Sequence, residues 1–338
     1  MQHFFSVPVG LLYSRSYFPE DSRQAVISLV EDVRVAFINI LADAPWMDEE
    51  TRKKAISKAE HIIAHVGYPS ELYQNVTFEE FYKDLEMDPD NFFNNSMQFN
   101  LFINTHYLNE LRKPVNRAGW QELLTLDPTE ANAFYDPSSN TMQFPIAILH
   151  ELFFSKDRPQ YINYASLGNT VGHEITHGFD DNGRKYDLYG NLVNWWNVDT
   201  KRKFSDQTEC FIDQYSEYTD PKTNLTVDGD NTLNENLADN GGTRAAYHAY
   251  LNWLKRNGDE RLVPGVKYNQ KQLFWISYAQ AESSVDGRDH IAYLIENDSH
   301  SPNELRVLGV VSNLQEFAND FNCPVGSKMN PEKKCRVW

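Results

Sequence analysis

The sequence predicts a mainly helical α+β protein with a small, mainly antiparallel sheet. Apolar residues recur at three- and four-residue steps between Val26 and Leu41 and again after Asp48, which is the spacing of one helix face. Two short β-forming stretches flank a turn cluster between residues 131 and 145, and this pattern indicates a hairpin. The chain has 338 residues, 41% of them hydrophobic, which is typical of a folded protein with a sizeable core.

The first third of the chain contains two predicted amphipathic helices. Asp21 and Ser22 can cap the first helix. Its predicted buried face consists of apolar residues at helical spacing: Val26, Val30, Val33, Phe37, Ile40 and Leu41. The second helix is predicted from about Asp48 to the turn at residues 67–69. Its faces differ in polarity, with Ala55, Ala59, Ile62 and Ile63 on one side and Lys53, Lys54 and Lys58 largely on the other.

The predicted hairpin marks a change in the character of the chain. Residues 131–135 and 141–145 have the composition of strands, and residues 136–140 form the turn cluster between them. Pro145 is expected at an end or edge of the sheet, because proline cannot donate a ladder hydrogen bond. The preceding residues are polar and rich in asparagine. We therefore divide the chain into a helical segment, residues 1–115, and a second domain, residues 116–338.

Composition excludes several classes of function. The net charge of −17 argues against nucleic-acid binding, which needs clustered Lys and Arg. No stretch reaches the roughly 18 apolar residues that a membrane span needs, and the N-terminus is a poor signal peptide. The three cysteines form no CxxC pair, so a cysteine zinc site is not expected. Four glycosylation sequons, at Asn75, Asn94, Asn224 and Asn297, give weak support for secretion.

Residues 171–177 contain the pattern that carries chemistry, VGHEITH. His173 and His177 are four residues apart, so on a helix both imidazoles lie on one face and can reach one tetrahedral zinc ion. Glu174 is adjacent to the first histidine and can act as the base that takes a proton from zinc-bound water. The alternative is a helix that carries two histidines by accident.

A third zinc ligand must come from another segment, since a catalytic zinc usually has three protein ligands and one open position. The best candidate segment is NENLADNGG, residues 234–242, where Glu235 and Asp239 share a helix face. One carboxylate can bind the ion while the other accepts the second N–H of a ligand histidine. A solvated helix face is the alternative. Asp180 can orient His177 in the same way, or can be a turn residue in the sequence DDNG.

These segments, taken together, resemble the neprilysin family of zinc metallopeptidases, which includes endothelin-converting enzyme. The similarity lies in VGHEITHGFDDNGR from residue 171, NENLADNGG from residue 234, NAFY from residue 132, HSP from residue 300 and the ending MNPEKKCRVW. The resemblance implies a thermolysin-like zinc peptidase domain for residues 116–338, with one zinc ion per chain. It also implies that residues 1–115 are the remnant of a larger, helical N-terminal domain.

The resemblance assigns a role to each candidate site residue. It implies that His173, His177 and Glu235 bind zinc, that Glu174 activates water and later protonates the leaving amine, and that Asp239 orients His173. It further implies that His300 stabilises the oxyanion, and that Arg306 binds a substrate carbonyl or C-terminal carboxylate. Asn132 and the backbone of Ala133 would bind the peptide as an added strand. Without the resemblance, His300 would be interpreted as a loop histidine and Arg306 as a surface arginine.

The chain also departs from the family pattern. Where the family carries Trp-Cys-Gly, this sequence has Glu282-Ser283-Ser284, and Thr170 replaces an apolar residue of the same substrate pocket. The resemblance implies a disulfide between Cys210 and Cys335 and leaves Cys323 without its usual partner. The N-terminal half and membrane anchor typical of the family do not occur in this sequence, so by resemblance we expect a C-terminal fragment or a truncated form. By resemblance we expect an extracellular or cell-surface location.

The function that we predict is zinc-dependent endopeptidase activity on short peptides, on the amino side of apolar residues. The alternative is a truncated, weakly active or inactive homologue that acts as a peptide-binding or decoy module. An aminopeptidase is a third hypothesis, but it needs an acidic anchor for the free amine, and the sequence shows no candidate. Short peptides are the expected partners. The oligomeric state and the physiological peptide are left open.

Overall fold

Helices account for most of the chain in the computed structural model, which describes residues 6–68, 79–80, 82–114 and 128–338. The helices of the first part are α1 (Ser6–Tyr17), α2 (Glu20–Ala42), α3 (Glu49–Glu60) and α4 (Phe92–Glu110). Those of the second part are α5 (Gln160–Asn163), α6 (Asn169–His177), α7 (Val198–Ser216), α8 (Leu233–Asn257), α9 (Gln270–Ala281), α10 (Arg288–Asn297), α11 (Asn303–Asn313) and α12 (Gln315–Phe321).

The predicted amphipathic face of α2 is confirmed. Val26, Val33 and Phe37 are fully buried, and Leu41 closes the same face one turn later. The helix begins at Glu20, before the predicted cap, and Pro19 occupies the N-cap position without a side-chain hydrogen bond. The buried face packs against α3 and α8, so α2 belongs to the same core as the second part of the chain.

The prediction for the segment after Asp48 was partly wrong. Asp48 does cap α3, accepting a hydrogen bond from the Thr51 N–H, but the helix ends at Glu60. The following residues form strand β1 (Ile63–Gly67) instead of a further helical turn. Lys58 was predicted on the polar face, yet its side chain is 1% exposed.

The sheet has three strands in the order β1–β3–β2, where β2 is Phe134–Asp136 and β3 is Thr141–Pro145. The predicted hairpin is confirmed, because β2 and β3 pair in antiparallel register. The sheet is mixed and not mainly antiparallel as predicted, since β1 pairs with β3 in parallel from Ile63 opposite Thr141 to Gly67 opposite Pro145. Pro145 thus lies at the end of a strand, as predicted, although that strand is the central one.

One buried core joins the two parts of the chain. The rings of Trp46, Phe204 and Trp338 pack together. The ring centroids of Trp46 and Phe204 lie 5.3 and 6.1 Å from that of Trp338. A disulfide between Cys210 and Cys335 holds the C-terminal segment to α7, as the resemblance implied. The proposed boundary at residues 115/116 lies outside the described residues and remains a proposal.

Candidate active site

Helix α6 presents both histidines of the HEITH segment on one face. It follows a π-helical segment, Tyr164–Gly168, that continues from α5, so residues 160–177 form one helical run. Such π-helical turns often occur at functional sites. The Nε2 atoms of His173 and His177 lie 2.9 Å apart, and the imidazole rings are almost perpendicular. Both ring nitrogens therefore point to the same region beside the helix.

Helix α8 brings the third candidate ligand to this region because two glycines permit a close helix crossing. A Cβ added at Gly172 would lie 2.4 Å from the carbonyl oxygen of Gly242, and one added at Gly242 would lie 2.3 Å from the backbone nitrogen of His173. Neither position tolerates a side chain without moving the backbone. Gly172 in α6 and Gly242 in α8 thus determine how closely Glu235 approaches the two histidines.

The donor atoms of His173, His177 and Glu235 fit a single tetrahedral metal ion. Glu235 Oε2 lies 3.2 Å from His173 Nε2 and 3.4 Å from His177 Nε2. Two ligand atoms at about 2.0–2.1 Å from a tetrahedral zinc ion lie roughly 3.3 Å from each other. Glu235 Oε2 is also buried and accepts no hydrogen bond from the described residues. Two nitrogens and one carboxylate oxygen are a donor set that zinc prefers. Within the described part of the chain, these three residues are the group that can hold a metal ion.

Each histidine has a carboxylate on its other ring nitrogen. Asp239 Oδ1 lies 2.9 Å from His173 Nδ1, and Asp180 Oδ2 lies 2.7 Å from His177 Nδ1. Both carboxylates are almost fully buried. An Nδ1–H that donates to a carboxylate leaves the lone pair of Nε2 for a metal, so these contacts set the tautomer and the ring orientation. Asp180 contacts His177 through Oδ2, and its Oδ1 accepts from two N–H groups of the turn that follows, so both predicted contacts are present and its orienting role stays a prediction.

Arg306, on α11, extends this network. Its Nε and Nη2 atoms donate to Asp239 Oδ2 and Oδ1 at 2.7 and 2.6 Å, a bidentate pair. Burial raises the pKa of Asp239, but the charge and hydrogen bonds of Arg306 outweigh this and lower it. Asp239 is consequently ionised when it accepts the N–H of His173. The remaining nitrogen, Nη1, lies 4.0 Å from Glu282 Oε2.

Glu174 is the buried carboxylate next to the first ligand. Glu174 is only 5% exposed to solvent. Burial raises the pKa of Glu174. A carboxylate with a raised pKa is suited to exchange protons with water near neutral pH.

His300 lies on the opposite side of Glu235. Its Nε2 is 3.1 Å from Glu235 Oε2, and its Nδ1 is 2.8 Å from Asp298 Oδ1. The next residue, Ser301, donates a hydrogen bond of 2.9 Å to Asn236 on α8, which fixes this loop beside the ligand helix. The nearby carboxylate of Glu235 raises the pKa of His300, against the effect of burial. Its side chain is 41% exposed, so it faces the open part of the site.

Comparison with known proteins identifies the family. The sequence profile of Peptidase family M13 matches residues 132–337, and the profile of the N-terminal part of that family matches residues 1–69. The chain belongs to peptidase family M13. Its resemblance to the neprilysin and endothelin-converting enzyme group is therefore confirmed.

Relatives match the chain over almost its whole length. Neprilysin-2 of Drosophila melanogaster is 41% identical over 332 residues, which is 98% of this chain and 43% of that protein. An endothelin-converting enzyme homolog of Locusta migratoria is 42% identical over 330 residues, which is 98% of this chain and 45% of that protein. The chain thus spans less than half the length of these curated relatives.

Solved structures of family M13 have the same fold. The zinc metalloprotease Zmp1 of Mycobacterium tuberculosis, in complex with an inhibitor, superposes with a TM-score of 0.84 at 31% identity. That match covers 98% of this chain and 49% of the Zmp1 chain. PepO of Lactobacillus rhamnosis matches with a TM-score of 0.82 at 28% identity, over 97% of this chain and 49% of PepO. The predicted fold class is confirmed: mainly helical, with the zinc metalloproteases of family M13 as structural neighbours.

The predicted substrate residues lie at the open edge of the sheet. Within the described residues, β2 pairs only with β3, so its other edge is free, and β2 packs against α6. Asn132 and Ala133 immediately precede β2. The side chain of Asn132 is exposed, and its Oδ1 accepts a hydrogen bond of 2.9 Å from the Ala133 N–H. Their predicted role in binding peptide stays a prediction.

Sequence reasoning missed two polar contacts that shape the site. Asp298, which orients His300, belongs to a triplet that was interpreted only as a glycosylation sequon. A carboxylate two residues before a histidine was the available signal, because such residues often bond the backbone two positions later. Lys58 donates to three backbone carbonyls of the segment that follows His177. Its spacing from Ala55 and Ile62, three and four residues away, could have placed it on the buried face.

Proposed function

We propose that this chain hydrolyses peptide bonds in short peptides as a zinc-dependent endopeptidase, with one ion per chain. The observation that carries the proposal is the convergence of three donor atoms, from His173, His177 and Glu235, at separations of 2.9, 3.2 and 3.4 Å. Membership of family M13 supports zinc as the metal. A bound zinc ion supplies Lewis-acid chemistry and lowers the pKa of water to about 7.

Glu174 is the proposed general base. It is buried beside the first ligand and does not belong to the donor set, so its carboxylate is available for proton transfer. In the proposed reaction Glu174 takes a proton from the attacking water and then gives it to the leaving amine. A carboxylate whose pKa is raised by burial holds that proton between the two steps more readily than an exposed one.

Asp239, Asp180 and Arg306 keep the site in one geometry. The two carboxylates accept the Nδ1–H groups of the ligand histidines, and Arg306 holds Asp239 in its charged form. Preorganised partners of this kind remove the cost of reorientation during the reaction. Arg306 donates one N–H each from Nε and Nη2 to Asp239, so a contact with a substrate carbonyl or carboxylate would use Nη1 or the second N–H of Nη2.

His300 is the proposed stabiliser of negative charge on the scissile carbonyl. Asp298 accepts the Nδ1–H of His300, and the protonated imidazole carries a second N–H on Nε2. That N–H can donate to an oxygen on which charge develops. The free edge of β2, with Asn132 and Ala133 before it, supports binding of the peptide as an added strand.

The family resemblance favours cleavage on the amino side of apolar residues, and this preference is part of the proposal. Glu282 is expected to weaken it for large apolar side chains. Its Oε1 accepts from Asn169 Nδ2 at 3.3 Å, and Asn169 lies one helical turn before His173 on the same face of α6. Glu282 also lines a cavity of about 450 Å³ that Asp286 and His290 border. A carboxylate in this wall disfavours an apolar side chain, because that side chain would cover the remaining exposed part of a polar group and offer it no hydrogen bond.

An extracellular or cell-surface location is also proposed. A disulfide between Cys210 and Cys335 and exposed sequon residues Asn94, Asn224 and Asn297 support it. Among the described residues, no helix combines the length and apolar character that a membrane crossing requires. Enzymatic removal of N-glycans from the chain expressed in a eukaryotic secretory system should lower its mass. An unchanged mass and a reduced Cys210 would contradict the proposal.

The test of function is peptide hydrolysis by the purified, zinc-loaded chain beside the Glu174→Gln variant. We expect internal cleavage of short peptides by the parent chain, an equal zinc content in both proteins, and a loss of about 10²–10⁴-fold in kcat for the variant. Full activity in the variant, or cleavage that persists after complete removal of zinc, would refute the mechanism. A chain that holds zinc and peptide but cleaves nothing would support the decoy alternative, and release of single N-terminal residues would indicate an aminopeptidase.

A further inference from the structure

Lys58 lies on α3 with its side chain buried among groups of the second part of the chain. Its ammonium nitrogen donates to the backbone oxygens of Gly178, Gly183 and Tyr186 at 2.7, 2.8 and 2.7 Å. The rings of Phe179 and Trp195 lie 5.4 and 5.9 Å from the same nitrogen. This one side chain is thus enclosed by three carbonyl oxygens and two aromatic rings.

The enclosure matches the chemistry of a charged lysine. A protonated amine has three N–H donors and no acceptor, so three carbonyl oxygens satisfy it completely. Burial lowers the pKa of Lys58 to about 7, while the negative charges of Asp180 and Asp187 oppose that fall. The three acceptors also favour the ammonium, since only the protonated form can donate to all of them. All three belong to residues 178–186, which we call the metal-flanking loop.

The metal-flanking loop carries the carboxylate that orients a proposed zinc ligand. It begins directly after His177, and its Asp180 contacts His177 Nδ1 through Oδ2. Asp180 Oδ1 accepts from the Gly183 N–H at 2.7 Å, which closes the loop into a turn. A Cβ at Gly183 would lie 1.7 Å from the carbonyl oxygen of His177, so the loop folds back tightly against the end of α6.

We infer that Lys58 is a positioning residue for the metal centre: by holding both ends of the metal-flanking loop, it fixes Asp180 against His177. Lys58 makes no contact with the ligands, so it acts on the site only through this loop. Gly178 and Lys58 are 120 residues apart in the sequence, and the contact therefore links the N-terminal helical segment to the geometry of a ligand. The inference rests on the proposed zinc site.

The test compares zinc affinity in the full-length chain for Lys58→Met, Lys58→Arg and a control, Ala55→Gly. Ala55 is fully buried one turn earlier on α3, so glycine weakens the same helix without removing a contact to the loop. Affinity is measured by competition with a chelator, and the absorption spectrum of the cobalt-substituted protein reports ligand geometry. Circular dichroism confirms folding at the temperature of measurement.

We expect Lys58→Met to weaken zinc binding by about 10–100-fold, as for other residues that support a ligand, and to change the cobalt spectrum. Lys58→Arg keeps the charge and several donors, so its zinc affinity should lie between that of the parent and that of Lys58→Met. Ala55→Gly should bind zinc as the parent does, with an unchanged spectrum. If Lys58→Met does not fold, the zinc affinity and cobalt spectrum of Lys58→Arg are compared with those of Ala55→Gly to test the inference.

Two results would overturn the inference. One is zinc affinity and a cobalt spectrum equal to those of the parent in the folded Lys58 variants. The other is an equal loss of affinity in Ala55→Gly, which would show that Lys58 contributes only to the stability of α3. A parent chain that binds no zinc would overturn the proposed function itself, and the inference with it.

Discussion

The two sides of the candidate active site differ in exposure and in how their polar groups are satisfied. The metal side consists of His173, His177 and Glu235 with the carboxylates Asp239 and Asp180, and most of it is closed to solvent. The substrate side consists of Asn132, Ala133, Glu282 and His300. On that side the His300 side chain is 41% exposed and Asn132 is exposed, whereas the Glu282 side chain is only 17% exposed and Ala133 is buried.

The difference indicates which residues can vary without loss of chemistry. A buried charge or donor needs a partner, so a change on the metal side leaves another group unpaired. Exposed groups on the substrate side can exchange a protein partner for water. By the family resemblance, we expect that the chain keeps the pattern of the metal side and departs from it at Glu282, a partly buried residue of the proposed substrate side.

The largest effect is expected for Glu235→Ala on the metal side. It removes one of three donors and leaves two imidazoles facing a gap, so zinc affinity should fall by more than the roughly 10–100-fold typical of a residue that only supports a ligand. Peptide hydrolysis should disappear. The added stability from zinc, about 2.7 kcal/mol at a free zinc concentration of 100 Kd, should also be lost. Metal analysis and thermal unfolding with and without zinc measure this. Zinc retention at parent affinity would contradict the ligand assignment.

A second prediction concerns the pair formed by Asp239 and Arg306. Asp239→Asn leaves Arg306 buried without its carboxylate, so the free energy of unfolding should fall by about 3–5 kcal/mol. Zinc affinity should fall about 10–100-fold, because the acceptor of the His173 Nδ1–H loses its negative charge.

The double variant Asp239→Asn/Arg306→Met separates these two effects. It should recover part of the stability but not the zinc affinity, since methionine removes the unpaired charge of Arg306 without restoring the carboxylate beside His173. Asp181→Asn is the control, because Asp181 pairs with Arg184 at a more exposed position, and it should change stability by less than about 1 kcal/mol. Recovery of both stability and zinc affinity in the double variant would contradict an orienting role for Asp239.

A third prediction concerns Glu282 on the substrate side. Glu282→Gln removes the charge at constant size, so kcat/KM for a peptide with Phe or Leu after the scissile bond should rise relative to one with Lys at that position. A change of about tenfold in that ratio corresponds to roughly 1.4 kcal/mol. Ser283→Ala, at the adjacent position, is the control and should leave the ratio unchanged. Equal ratios in all three proteins would show that Glu282 does not contact the substrate side chain.

The smallest effect is expected for Asn132→Ala. Loss of one hydrogen bond to the peptide main chain should cost about 0.5–1.5 kcal/mol, which is roughly a two- to tenfold rise in KM with little change in kcat. Zinc affinity should stay at the parent value, because Asn132 lies outside the metal side. A drop in zinc binding would mean that the two sides are not independent.

Short-range patterns predicted most of the metal side. His173 and His177 share a helix face because of helical geometry alone, and Glu235 and Asp239 do so by the same spacing. The glycines of both segments are visible in the sequence, but only the packed structure shows that the two helices cross at these positions. The hairpin was predictable because its strands are close in sequence and flank a turn cluster.

Long-range partners explain what the sequence did not predict. Strand β1 pairs in parallel with a strand almost 80 residues later, from Ile63 to Thr141, and local periodicity could not separate it from the end of α3. Lys58 was assigned to a solvated face because its acceptors are backbone carbonyls, which leave no trace in a sequence pattern. The contact between Arg306 and Asp239 was not predicted either, because the two residues lie 67 positions apart in the sequence.

The central claim is that His173, His177 and Glu235 together bind one zinc ion. X-ray absorption spectroscopy at the zinc edge of the full-length chain, loaded with one equivalent of zinc, tests it most directly. We predict nitrogen and oxygen neighbours at about 2.0–2.1 Å, with the outer-shell signal of two imidazoles and no sulfur. A sulfur neighbour at about 2.3 Å, which would implicate Cys323, or a spectrum without imidazole signals would contradict the claim.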